Sequence, residues 1–188
     1  MSEASAREAR VQAKLQPAAV RATLAFAGLF QLTHEMIKSM VVEDVKGFFG
    51  YVTVGDGVWL PESGQREYRR QVLELAPGRP FEASLLWLQR MDAITAEQAT
   101  RLDDIYAHRH RLTHELASYL VDPDLDPDVD LFVDALKTLS DIARFWTRVE
   151  ADLGSFDEFP GVDLDEVVNG RVALLGLCID AYCDGVDG

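Results

Sequence analysis

The stretch AEQATRLDDIYAHRHRLTHELASYLV, residues 96–121, decides the fold. Thr95 and Gln98 form the capping-box pair that opens a helix, the threonine hydroxyl and the glutamine amide each serving a backbone N–H of the first turn. Apolar residues then recur at Leu102, Ile105, Leu112, Leu116 and Tyr119, the three–four spacing of a packed helical face. The pattern stops at DPDLDPDVD, residues 122–130, where two prolines and five aspartates oppose continuation. One helix over 96–121 is therefore expected, with position 109 on its inward stripe. That position holds Arg109, and an arginine on a core stripe costs free energy unless an anion or a carboxylate meets it.

The same periodicity extends outward in both directions. A long helix is expected over 18–48, with Ala27, Phe30, Ile37, Val41, Val45 and Phe48 facing inward. Shorter helices are expected over 65–75 and 81–91, the first ended by APGRP, and longer ones over 131–153 and 164–182. GYVTVGDGVWLPESG, residues 50–64, breaks the helical pattern. Its β-branched and aromatic residues around Gly55-Asp56-Gly57 suggest a hairpin or an ordered loop. There is no repeat period, and no linker divides the 188 residues. The expectation is one all-α domain over 1–188, a bundle of five or six helices with a short irregular or hairpin insertion near 50–64.

Composition narrows the function classes. The net charge is −14, distributed as −1 over residues 1–65, +1 over 66–111 and −14 over 112–188. An excess placed there argues against nonspecific binding to bulk DNA or to an anionic membrane. It leaves the arginine-bearing middle third open to nucleic acid. The polar start SEASAREARVQAKLQ has no apolar leader core, and no apolar run reaches the length of a membrane span, so a cytoplasmic location is expected. Cys178 and Cys183 lie five positions apart, about 8 Å on a helix, beyond disulfide reach. They read as small apolar residues in a reducing compartment.

The aspartate run 122–130 fails as a calcium loop. Counting from Asp122 or from Asp124 puts no glycine at the sixth position and no glutamate at the twelfth. LTHE occurs twice, at 32–35 and 112–115, but neither copy continues as HExxH. His110 and His114 share a helical face without a visible third ligand, and the arginines beside them oppose a cation, so no metal is expected. His34, on the inward face of 18–48, reads as a buried, hydrogen-bonded core histidine. Around Arg109, about 100–140° away on the wheel, lie Asp103, His110 and His114. A guanidinium and two imidazoles suit phosphate chemistry. The alternative pairs Arg109 with Asp103 or Glu35 and leaves the histidines as bystanders.

RHRLTH, Arg109 to His114, resembles the R-x4–6-H signature of the HEPN superfamily: an arginine, a polar residue directly after it, three more residues and a histidine. In that pattern the motif lies late on a long helix of an all-α bundle, and the helix runs on past the histidine. The resemblance implies a metal-independent endoribonuclease of toxin or antiviral-defence type, with no cofactor and an RNA substrate. It also implies a homodimer whose motif helices build a composite cleft, and a possible antitoxin or regulatory protein. Arg109 would hold the phosphate, His114 would serve as general base or acid, and His110 would orient the phosphate or share proton transfer. Arg111 and Asp103 would support RNA or phosphate binding. A reading of another class is a noncatalytic interaction module, an antitoxin, immunity or scaffold subunit, whose acidic C-terminal third binds a partner.

Overall fold

The computed structural model describes residues 3–54, 57–59, 61–159 and 161–187. The chain is an all-α bundle carrying one short hairpin. Its centre is α2 (Pro17–Ser39), which starts with Pro17 in the first turn, where no backbone donor is wasted. α2 runs through one π-helical turn (Met40–Asp44) into α3 (Val45–Phe48), so the expected continuous helix over 18–48 forms with a local widening. Met40, Val41 and Val45, in that turn and directly after it, are all fully buried.

After α3 the chain forms β1 (Val52–Val54) and β2 (Gly57–Trp59), paired antiparallel with Val52 opposite Trp59. This is the hairpin option for residues 50–64; Gly55 and Asp56 of its expected turn lie outside the described residues. α4 (Glu62–Gln71) and a 3₁₀ turn (Leu73–Leu75) lead to α5 (Pro80–Arg90). Trp87 of α5 stacks on Trp146 at 6.3 Å with planes 19° apart, and Phe49 closes on Trp87 at 5.8 Å. That aromatic cluster joins α5 to α8 (Val129–Asp152) and to the end of α3.

α6 (Ala96–His114) opens with the expected capping box, both of its hydrogen bonds present. It does not run to residue 121. Glu115 leaves helical geometry at φ −120°, ψ 22°, and a separate short helix, α7 (Leu116–Val121), follows. The break re-aims the chain so that Tyr119 enters the core beside the ring of His108. α8 starts at Asp128, whose carboxylate accepts from Leu131 N–H. α9 (Gly170–Asp187) begins later than the expected 164, where Asn169 Oδ1 accepts the Arg171 N–H and starts the first turn. α9 packs on α2 and α8, and Arg171 grips Asp44 through both guanidinium ends.

One further helix, α1 (Glu3–Lys14), lies outside the set expected from periodicity. It buries no residue, so it has no apolar stripe to read. Polar bonds hold it instead: Lys14 Nζ donates to Tyr119 O at 3.1 Å and to Leu125 O, and pairs with Asp126 at 2.8 Å. Arg10 pairs with Asp124 at 2.7 Å. The aspartate run thus docks α1 while Asp124 and Asp126 stay exposed to solvent. Among the described residues no helix is long and apolar enough to cross a membrane.

Candidate functional site

The buried stripe of α6 is Leu102, Ile105, His108 and Leu112, and Leu116 beyond the break is half-buried. The core position expected at 109 is therefore filled at 108, and Arg109 stands on the shoulder of the helix with its side chain 22% exposed. Stepping 105–108–112 or 105–109–112 fits the same spacing, so the periodicity alone does not choose between them. The choice is made by a distant group. His108, 2% exposed, accepts the backbone N–H of Asp128 on Nε2 at 3.0 Å, and Phe30 and Tyr119 meet its ring edge-on at 5.0 and 6.0 Å. With the lone pair of Nε2 engaged, the proton of the neutral imidazole belongs on Nδ1. Arg111 Nη2, itself only a donor, sits 3.2 Å from that nitrogen, so with Nε2 accepting from Asp128 the two meet donor to donor and Arg111 gives His108 no hydrogen bond. Burial first, and then the Arg111 charge, push the His108 pKa below its usual 6.5.

Arg109 reaches across to α2. Its Nε donates to Gln31 Oε1 at 2.6 Å and its Nη2 to Glu35 Oε1 at 3.2 Å. Gln31 Nε2 also donates to Glu35 Oε1, at 3.1 Å, so one turn of α2 presents a prearranged amide–carboxylate pair. Of the two expected partners, Glu35 meets Arg109; Asp103 is exposed on the rim of the same cleft without pairing with it.

Glu35, Asp103 and Arg109 border a cleft of about 1040 Å³ between α2, α5 and α6. Leu85, Leu86, Leu102 and Phe81 give it apolar walls, while Glu35, Lys38, Asp103 and Arg109 provide polar ones. Tyr106 stands at its edge, 55% exposed, with its ring 5.6 Å from that of His34. His34 is buried, as expected, at 8% exposure. Among the described residues its Nδ1 has no hydrogen-bond partner, Glu35 Oε1 standing 3.5 Å away. Burial and then the nearby Arg109 push its pKa below 6.5.

His110 and His114 lie elsewhere. Both are exposed, at the C-terminal end of α6, with ring centroids 4.3 Å apart. Arg111 is exposed beside them. The structure thus brings Arg109 together with Asp103 around the cleft and pairs His110 with His114 on the solvent side of the same helix. Lys38 and Tyr106 line the cleft without any signal in the spacing, and Gln31, which holds Arg109 from outside the lining, is marked in the sequence only by its position four before Glu35 on one helix face. Among the described residues no three His, Cys, Asp or Glu side chains group as a metal ion would require.

Fold and site together define an all-α bundle with a mixed polar–apolar cleft beside an arginine- and histidine-bearing helix. No family model matches the chain, and no curated protein or solved structure shows significant similarity to it.

Proposed function

We propose that the chain is a metal-independent endoribonuclease of the HEPN type. The observation that carries this reading is the exposed His110–His114 pair, rings 4.3 Å apart, on the helix that also presents Arg109 and Arg111. Imidazoles titrate near neutral pH and can pass protons in both directions. His114 takes the proton from an RNA 2′-hydroxyl, and the freed oxygen attacks the adjacent phosphorus. The bond from phosphorus to the 5′-oxygen breaks, and a second imidazole, His110 or one from a second copy, protonates the leaving oxygen. The products are a 2′,3′-cyclic phosphate and a 5′-hydroxyl, with no metal in the balance.

Arg109 binds the phosphate through charge-assisted hydrogen bonds. To do so it leaves both Glu35 and Gln31 Oε1; the ion pair with the half-exposed carboxylate is worth about 0–1 kcal/mol, and the phosphate oxygens replace both acceptors. Tyr106 offers an exposed aromatic face on which an unpaired base can stack. A homodimer that sets two α6 ends face to face would supply both imidazoles, and an antitoxin or regulatory protein would restrain it.

The test is cleavage of single-stranded RNA in EDTA by the wild type and by Arg109→Ala and His114→Ala, with helicity checked by circular dichroism. Each variant should lose about 100-fold or more of the rate while remaining folded. Cleavage unchanged in both variants overturns the site. A second reading, a noncatalytic interaction module, is favoured by one observation: Gln31 and Glu35 already satisfy Arg109 structurally. Wild-type protein that cleaves no RNA under any condition decides for it.

A further inference from the structure

The first half of α9, Val172 to Ile179, is apolar on both of its sides. Leu175 is buried, and Val172, Cys178, Ile179 and Tyr182 are half-buried toward the bundle. On the outer side Leu174 is 51% and Leu177 67% exposed, and Ala173 and Ala181 are exposed around them. These positions are three and four apart and form one continuous stripe. A surface helix ordinarily turns charge to solvent, whereas a helix apolar all round is covered on all sides. The segment that carries α9 is also the acidic one. Residues 153–188 hold eight Asp and Glu and a single basic residue, net −7, and that residue, Arg171, is tied to Asp44. Asp180 and Asp184 are exposed on the same face as Leu177, three and seven positions beyond it. Leu153, Phe159 and Val168, in the turns before α9, are exposed as well.

We propose that the outer face of α9 is a docking surface for a basic amphipathic helix of another protein. Leucines of the partner cover Leu174 and Leu177, and its lysines or arginines meet Asp180 and Asp184. A second copy of this chain is a poor occupant, because it would bring another −7 against the first. An anionic membrane is opposed by the same charge. The assignment stands apart from the ribonuclease reading: it uses no residue of α6, and its test reads no cleavage.

The probe is a synthetic leucine–lysine peptide of about fourteen residues, close to four helical turns, with its leucines on one face and a fluorescein label. Fluorescence anisotropy compares the full-length wild type with a Leu174→Ser/Leu177→Ser variant; both substitutions are at exposed positions. The lysine peptide should bind saturably with one-to-one stoichiometry. Its affinity should fall by about tenfold or more in the serine variant, the worth of roughly one buried leucine contact, and should fall again at high salt. A counterpart with glutamate for lysine should not bind. Three results overturn the proposal: no saturable binding, equal binding to wild type and serine variant, or wild-type self-association that the serine substitutions abolish.

Discussion

Replacing His108 by alanine should destabilise the fold far more than replacing its neighbour Arg109. The alanine removes a ring packed edge-on against Phe30 and Tyr119, and it orphans the Asp128 N–H that His108 Nε2 now accepts. An unsatisfied buried donor costs about 1–3 kcal/mol, and truncating a buried side chain of this size adds a cavity, for a total of about 3–5 kcal/mol. The orphaned donor also sits at the start of α8, so its loss loosens that cap. His108→Gln is the informative control. Its amide oxygen reaches nearly as far as Nε2 and can accept the same N–H, so the loss should be only about 1–2 kcal/mol. Arg109→Ala removes an ion pair with a half-exposed carboxylate and should cost about 1 kcal/mol or less. Urea denaturation followed by circular dichroism reads all three through the midpoint, with the slope as a check on two-state behaviour. Equal losses in the alanine and glutamine variants would refute the acceptor role of His108. A larger loss in Arg109→Ala than in His108→Ala would return the core position to 109.

Two other outcomes follow from the same contacts. His34 and His108 both have pKa values lowered below 6.5 by burial, so the unfolded chain binds more protons than the folded one below that pH. The stability they provide is complete above pH 6.5 and declines as pH falls toward the folded values; the urea midpoint should track this, and His108→Gln should flatten the profile. A wild-type midpoint that does not change over that range contradicts it. Arg171→Met should loosen α9 from the π-helical turn at Asp44, so that half-buried Cys178 reacts several-fold faster with a thiol reagent while exposed Cys183 keeps its rate. Unchanged Cys178 labelling would mean that Arg171 does not anchor the helix.

The parts legible in the sequence are those set by local rules. The capping box of α6, the inward stripe of α2 and the break at the aspartate–proline run each depend on residues within a few positions of one another. What could not be read depends on contacts across the chain. α1 has no apolar stripe because it is held by Lys14 and Arg10, more than a hundred residues from their partners. The end of α6 at His114 follows from Tyr119 turning into the core, and nothing between Leu112 and Leu120 resembles a helix stop. The choice of 108 over 109 rests on the backbone of Asp128, twenty residues away. The two LTHE copies illustrate the limit: His34 is buried beside a cleft and His114 is exposed, although four residues are identical.

The rotation of α6 about its own axis connects these points to the chemistry. His108 is pinned to the start of α8, Arg109 to Gln31 and Glu35 on α2, Arg101 to Asp134 at 2.8 Å, and Gln98 to Asp141 at 2.7 Å. Four side chains tied to two neighbouring helices fix the orientation of α6, and in it His110 and His114 face solvent. Their exposure therefore follows from the network that orients the other side of the helix. Substitutions at the two exposed histidines should leave stability unchanged, because they take part in none of those ties. A loss of RNA cleavage in His114→Ala at unchanged stability would then report on chemistry alone. A loss in His108→Gln, whose effect reaches the solvent side only through the helix, would report on orientation.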